Sequence, residues 1–167
     1  MQKKKVLVIM GSDSDLSVME GCFQVLRKFN IPFDAKICSA HRSPERAKEL
    51  AVSAREQGYG VIVAAAGLAA HLPGVLASFT TLPVIGVPCK GGALSGVDAL
   101  YAIVQMPSGI PVATVAIDGG TNAGILAAEI FSVFDDDISG LLSKYKKELE
   151  AAVQEKDSRL QEKLKEL

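Results

Sequence analysis

The chain holds two histidines, His41 and His71, each set among small and polar residues. In Ser39-Ala40-His41-Arg42-Ser43-Pro44, an imidazole suited to proton transfer near neutral pH adjoins a guanidinium that can grip a phosphate through paired hydrogen bonds, and the Ser39 hydroxyl is a further donor. The plain alternative is a capped loop carrying a surface imidazole. Gly11-Ser12-Asp13-Ser14-Asp15 lies between an apolar run and a helical pattern. There the backbone N–H groups, the positive end of a helix and the hydroxyls of Ser12 and Ser14 would make an anion cradle, unless Ser14 or Asp15 only caps the helix. The segment is neither a P-loop nor a GxGxxG turn. The third stretch, Ala66-Gly67-Leu68-Ala69-Ala70-His71-Leu72-Pro73-Gly74, is lined with small residues that let a flat ligand approach the backbone, and His71 stands just before a helix.

These stretches matter together only if the fold joins them. Val6 to Met10 is short, apolar and β-rich, and reads as a strand buried on both faces. From Asp15 to Phe29 apolar residues recur at helical spacing, and Asn30 and Pro32 end that helix. The pattern repeats with a strand from Phe33 to Cys38, then a helix from Pro44 to Gln57 with Ser43 as N-cap and Gly58 closing it. Further strands are expected at Val61 to Ala65, Val84 to Val87 and Val112 to Ile117. Helices are expected at Leu72 to Ser78, about Ala93 to Val104, and Asn122 to Phe134 with Asn122 as cap.

Strands alternating with helices predict a flavodoxin-like three-layer α/β/α fold around a parallel five-stranded sheet. In the common order 2-1-3-4-5 the ligand crevice opens at the C-terminal ends of strands one and three. The loops beginning at Gly11, Ser39 and Ala66 would then face one another. After Asp135 a sparse stripe of Ile138, Leu141, Leu142, Tyr145, Leu149, Val153 and Leu160 among many Lys and Glu predicts an amphipathic helix. It would pack on its own domain or on a neighbouring subunit. We expect residues 1–167 to form one catalytic domain, with 136–167 as a C-terminal helical extension.

Composition narrows the function classes. A net charge of -1, from 18 basic and 19 acidic residues, gives no field to collect nucleic acid or an anionic membrane. Cys22, Cys38 and Cys89 lack CxxC spacing and are odd in number, which fits a reducing cytoplasm. The apolar stretch after Lys3-Lys4-Lys5 stops at Gly11, too soon for a signal segment. No metal-ligand set and no HExxH motif is present, and no GxSxG elbow marks a serine triad. Cys89 reads as a buried cysteine rather than a nucleophile. The Gly-rich turn Gly91-Gly92-Ala93-Leu94-Ser95-Gly96 could touch ligand, but such turns, like Gly119-Gly120-Thr121-Asn122, are too common to assign.

MGSDSD, SAHRSP, AAHLPG, GVP, ALSGVDALYAIVQMPSGIPVATVAI and NAGILAA stand in the order and spacing of one enzyme family. From about Val6 to Phe134 the chain resembles the class I N5-carboxyaminoimidazole ribonucleotide mutases, isomerases of purine biosynthesis. The resemblance implies that Ser12, Ser14, Ser39 and Arg42 hold a nucleotide phosphate and that Asp15 binds the ribose hydroxyls. It makes His41 the general acid and base, places His71 in the catalytic pocket, and has the Gly67 to His71 loop, with Ala66 and Leu72, line the imidazole and carboxylate pocket. It further implies a cytoplasmic homo-octamer with a small nucleotide substrate, no cofactor and no metal.

Class II relatives, which carboxylate aminoimidazole ribonucleotide directly, typically show SAHK and lack the AAHLPG loop, so Arg42 and His71 point to class I. A noncatalytic flavin or nucleotide module on the same sheet is the alternative from another class. The chain departs from the family pattern at Ala65 and Leu68, where many members have glycine, and at Lys90-Gly91-Gly92. Its Asp118 to Thr121 loop is shorter than in some members. The apolar circumference of Ala93 to Val104 independently suggests self-association.

Overall fold

The computed structural model describes residues 4–167; Lys3 of the basic run lies outside them. The apolar segment Lys5–Met10 forms β1, buried along five of its six residues. It is followed by α1 (Leu16–Lys28), β2 (Phe33–Ile37), α2 (Pro44–Ser53), β3 (Tyr59–Gly67), α3 (Leu72–Phe79) and β4 (Val84–Cys89). The chain continues through α4 (Val97–Val104), β5 (Ala113–Thr114), α5 (Gly120–Ser132) and α6 (Asp136–Lys165). The sheet is parallel throughout, in the order β2-β1-β3-β4-β5, as expected from the sequence.

Side-chain alternation along the strands divides the core into two layers. Val6, Val8, Met10, Val61, Val63, Ala65, Ile85 and Val87 pack with α1, α5 and the start of α6. Leu7, Ile9, Ile62, Ala64, Ala66 and Val84 pack with α2, α3 and α4 on the other face. This two-sided burial is why β1, β3 and β4 read as continuous apolar runs.

Several boundaries differ from the sequence reading, each for a local reason. β5 is two residues long instead of spanning Val112 to Ile117. Val115 N still donates to Gly86 O at 3.1 Å, but the next position on β4 facing β5 is Pro88, which has no N–H to continue the ladder. α4 begins at Val97 and not near Ala93, because Gly92, Ser95 and Gly96 all have positive φ, at 59°, 52° and 91°, which breaks a right-handed helix. α2 stops at Ser53, short of Gln57, and successive turns carry the chain to Gly58 at φ 86°. Asn122 is not a cap, since α5 starts two residues earlier with Gly119 at the N-cap position.

The terminal helix is capped by Asp135, whose Oδ1 accepts from the N–H groups of Asp137 at 3.1 Å and Ile138 at 3.2 Å. Ile138 and Leu142 are buried, Tyr145 meets Phe29 edge-on at 5.7 Å, and Lys28 pairs with Glu148 at 2.8 Å. Beyond that the apolar stripe continues through Leu149, Val153, Leu160 and Leu164 with no cover from its own domain. Among the described residues no helix is long and apolar enough to cross a membrane.

Candidate active site

β1 delivers the chain to Gly11, whose N–H donates to Ala65 O at 2.9 Å. Ser12 then caps a one-turn 3-10 helix, Asp13–Asp15, in a reciprocal box. Its Oγ accepts from Ser14 N at 3.3 Å, and its own N–H donates to Asp15 Oδ2 at 3.1 Å. Cap and cradle are therefore the same structure, with Ser12 rather than Ser14 as the cap and Asp15 returning the bond. The Ser14 N–H is already taken by Ser12 Oγ and by Asp13 Oδ1 at 3.1 Å, and the Ser12 hydroxyl donates to Asp13 Oδ1 at 3.0 Å.

Asp15 is the one buried charged residue among those described, 7% exposed. Burial pushes its carboxyl above the usual carboxylate range, against the opposing pull of the Ser12 N–H, the Cys89 thiol and the Gly11 N–H. A carboxylate kept in such a place is under electrostatic strain that capping alone does not require.

The loop after β2 is tied to β1 by Cys38 N donating to Met10 O at 2.8 Å. Ser43 occupies the N-cap position of α2 but does not cap it with its side chain: its Oγ donates back to Ser39 O at 2.9 Å. Arg42 N donates to Ser39 Oγ at 3.3 Å. These bonds curl the loop so that Ser39, His41 and Arg42 face the β1 cradle. After β3, Leu68 turns the chain at φ 55°. The short bonds Ala70 N to Leu68 O and His71 N to Ala69 O, both 2.8 Å, then set His71 at the N-cap position of α3.

The two loops meet through their histidines. His41 Nε2 and His71 Nδ1 are 2.8 Å apart, with ring planes at 78°. At that separation a single proton lies between the two nitrogens, so each ring fixes the tautomer of the other.

A cavity of about 590 Å³ opens at this edge, and all ten residues singled out in the sequence line it: Ser12, Ser14, Asp15, Ser39, His41, Arg42, Ala66, Gly67, His71 and Leu72. The fourth wall is Cys89-Lys90-Gly91-Gly92, from the end of β4; the sequence allowed its Gly-rich turn to touch ligand but assigned it no role. The signal was present, because in the order 2-1-3-4-5 the C-terminal end of strand four must open beside that of strand three. Burial, with the charges of Asp15 and Asp118 nearby, pushes the Cys89 thiol up to about 12. It is therefore a neutral thiol at physiological pH, unsuited to nucleophilic attack.

A family model described as AIR carboxylase matches residues 5–152 of this chain. The chain belongs to the AIR carboxylase family. An N5-carboxyaminoimidazole ribonucleotide mutase of Pyrococcus horikoshii is 54% identical over 161 residues, covering 96% of this chain and 91% of the relative. The enzyme of the same name from Thermotoga maritima is 51% identical over 158 residues, covering 95% and 92%. Among solved structures, Treponema denticola PurE superposes with a TM-score of 0.84 at 30% identity, over 95% of this chain and 99% of that one. The matched region of the AIR carboxylase model spans all four walls of the cavity and the first half of α6.

Proposed function

We propose that the protein is an N5-carboxyaminoimidazole ribonucleotide mutase, which moves a carboxyl group from the exocyclic amine to the adjacent ring carbon of a phosphorylated imidazole nucleotide. The observation that carries the reading is the pair of imidazoles 2.8 Å apart in one cavity with an anion cradle. Identities of 54% and 51% to chains named as that mutase support it, and direct carboxylation is not favoured.

In this reading Ser12, Ser14, Ser39 and Arg42 hold the phosphate, and Asp15 takes the ribose hydroxyls. Ala66, Gly67 and Leu72 pack on the imidazole. His41 as imidazolium protonates the carbamate nitrogen. The C–N bond then breaks, leaving its electron pair on nitrogen and releasing carbon dioxide into the enclosed cavity. The ring carbon beside the amine attacks the trapped carbon dioxide, and His41, now neutral, removes the proton from that carbon. The proton balance is zero over the cycle, which is why one acid/base group suffices. His71, bonded to His41, holds its ring in a single tautomer and orientation through both transfers. Holding the intermediates together and excluding water are the protein's main contributions.

Residues 1–167 would act as one catalytic domain in the cytoplasm. Assembly into a homo-octamer fits the apolar side chains left open on α4, where Val97, Tyr101 and Val104 are exposed, and the uncovered stripe on α6.

The test offers purified enzyme the carbamate nucleotide in one arm and aminoimidazole ribonucleotide with bicarbonate in the other. Conversion of the first without need of bicarbonate is expected, whereas turnover of the second alone would make the protein a direct carboxylase. His41→Asn should abolish turnover while nucleotide still binds, and substantial remaining activity would remove His41 from the mechanism.

A further inference from the structure

Arg42 and Lys90 are the two permanent cations lining the cavity, and they approach it from opposite sides. Arg42 follows β2 and Lys90 follows β4, with β1 and β3 between them. Three strand spacings separate the two loops at their roots, roughly 14 Å. Arg42 lies beside the serine hydroxyls of the cradle. Lys90 instead leaves β4 beside the small-residue wall, where Cys89 O lies against Gly67 and Leu68 against Gly92.

The loop carrying Lys90 is held against the mouth at two points. Lys90 N donates to Asp118 Oδ1 at 2.8 Å, and Asp118 is itself fixed by its N–H donating to Pro88 O at 2.8 Å. On the facing side Leu68 closes on Gly92 so tightly that a Cβ there would stand 2.7 Å from Leu68 Cδ2. The backbone is thus pinned while the side chain is free: among the described residues the Lys90 ammonium pairs with no carboxylate. A lysine at such a place is a mobile point charge on a four-carbon stem with three donors.

We propose that Lys90 binds the carboxylate of the carboxylated nucleotide, at the end of the ligand opposite the phosphate, and so distinguishes carboxylated from uncarboxylated imidazole nucleotides. The inference rests on the proposed mutase reaction, whose substrate and product are anionic at both ends. Arg42 and the serines complement one end. Lys90 complements the other in both isomers, since its flexible stem can follow the carboxylate from the exocyclic nitrogen to the ring carbon. During the step in which carbon dioxide is free, the ammonium loses its partner and regains it on recapture. Its binding energy thereby favours the carboxylated states over the uncarboxylated intermediate.

The test compares wild type, Lys90→Gln and Lys90→Arg in the isomerisation assay, alongside equilibrium binding of aminoimidazole ribonucleotide, which carries the phosphate but no carboxylate. Lys90→Gln should raise KM for the carboxylated nucleotide about tenfold, the scale of one charge-assisted hydrogen bond at a partly exposed site, with most of the loss in kcat/KM falling on KM. Affinity for aminoimidazole ribonucleotide should change less than about twofold, as for a surface charge without a partner, and Lys90→Arg should restore most of the KM. An unchanged KM in Lys90→Gln, or an equal loss of affinity for both nucleotides, overturns the assignment. A wild-type enzyme that converts neither carboxylated isomer instead refutes the mutase reading itself, and the role of Lys90 with it. Lys90 is exposed, and equal melting temperatures of the three proteins would exclude misfolding as the cause of any difference.

Discussion

Replacing Asp15 with asparagine separates the cost of a buried charge from its use. Asp15 Oδ2 accepts the Ser12 N–H at 3.1 Å, and the residue lines the cavity. Asparagine keeps the cap, because its single carbonyl oxygen can still accept from Ser12. It then turns an amide donor toward a ligand that needs an acceptor. One charge-assisted hydrogen bond is lost, about 1.5–3 kcal/mol, so nucleotide affinity should fall between about 10-fold and about 150-fold.

Stability should move the opposite way. Burial raises the folded-state pKa of Asp15, so the folded protein binds more protons than the unfolded chain in the window just above the ordinary carboxylate value. Stability from this group is therefore greatest at low pH and falls as pH rises through the folded pKa. Asp15→Asn should be more stable than wild type at pH 7, with an advantage that shrinks as pH falls toward about 4, near the ordinary carboxylate value. Urea midpoints at both pH values and calorimetric titration with nucleotide measure the two effects. A variant that binds nucleotide as tightly as wild type yet unfolds at lower urea at pH 7 would make Asp15 a helix cap and nothing more.

Arg42→Ala should weaken nucleotide binding far more than it slows saturated turnover; an unchanged substrate affinity would argue against the phosphate contact. A Cβ at Gly120 would overlap the carbonyl oxygen of Val18 and stand 3.0 Å from its carbonyl carbon, where α5 crosses α1. Gly120→Ala should therefore destabilise by about 3 kcal/mol, read from the urea midpoint, and a loss below about 0.5 kcal/mol would mean that the crossing yields easily. Lys5, with the Tyr59 hydroxyl, holds the Asp34 carboxyl below the usual range. That contribution is present above the unfolded carboxylate pKa and is lost as pH falls through the lower folded value. Asp34→Asn should lower Tm at pH 7, by a margin that shrinks as pH falls below the ordinary carboxylate value of about 4; a difference independent of pH would show that charge is not the cause.

The sheet order and the residues of three cavity walls were legible because each follows from a local pattern. Strands ended at Gly11, Ser39 and Ala66, two of them apolar runs buried on both faces, and doubly wound topology brings such ends together. The fourth wall was not legible from its residues. Gly91-Gly92 looks like any flexible turn, and Lys90 like any surface lysine, until Asp118 and Leu68 are seen to pin that loop. The shortness of β5 follows from a proline in a different strand, so no pattern within Val112 to Ile117 could reveal it. The late start of α4 depends on three left-handed residues, of which Ser95 has no sequence signature for that conformation. The hydrogen bond between His41 and His71 is likewise invisible along the chain, since the residues are 30 apart and meet only through the curl of two loops.

The two ends of the sheet have different work. At the N-terminal ends of the strands, Asp34 Oδ2 on β2 accepts from Lys5 Nζ on β1 at 2.8 Å and from the Tyr59 hydroxyl on β3 at 2.6 Å, so one carboxylate ties three strands. At the C-terminal ends the carboxylate is Asp15, buried and short of compensation. Six residues of β1 separate these ends, about 20 Å, well beyond the Debye length of about 8 Å at physiological salt. Charge changes at one end should therefore leave the other unaffected, and stability can be adjusted at Asp34 without touching the chemistry. The reverse is not true of the helices: α1 begins within the cradle and is gripped by α5 through Gly120, so packing changes far from the cavity can still displace Asp15. Coupling between stability and activity in this protein should accordingly run through the α1–α5 face and not through the charged clamp.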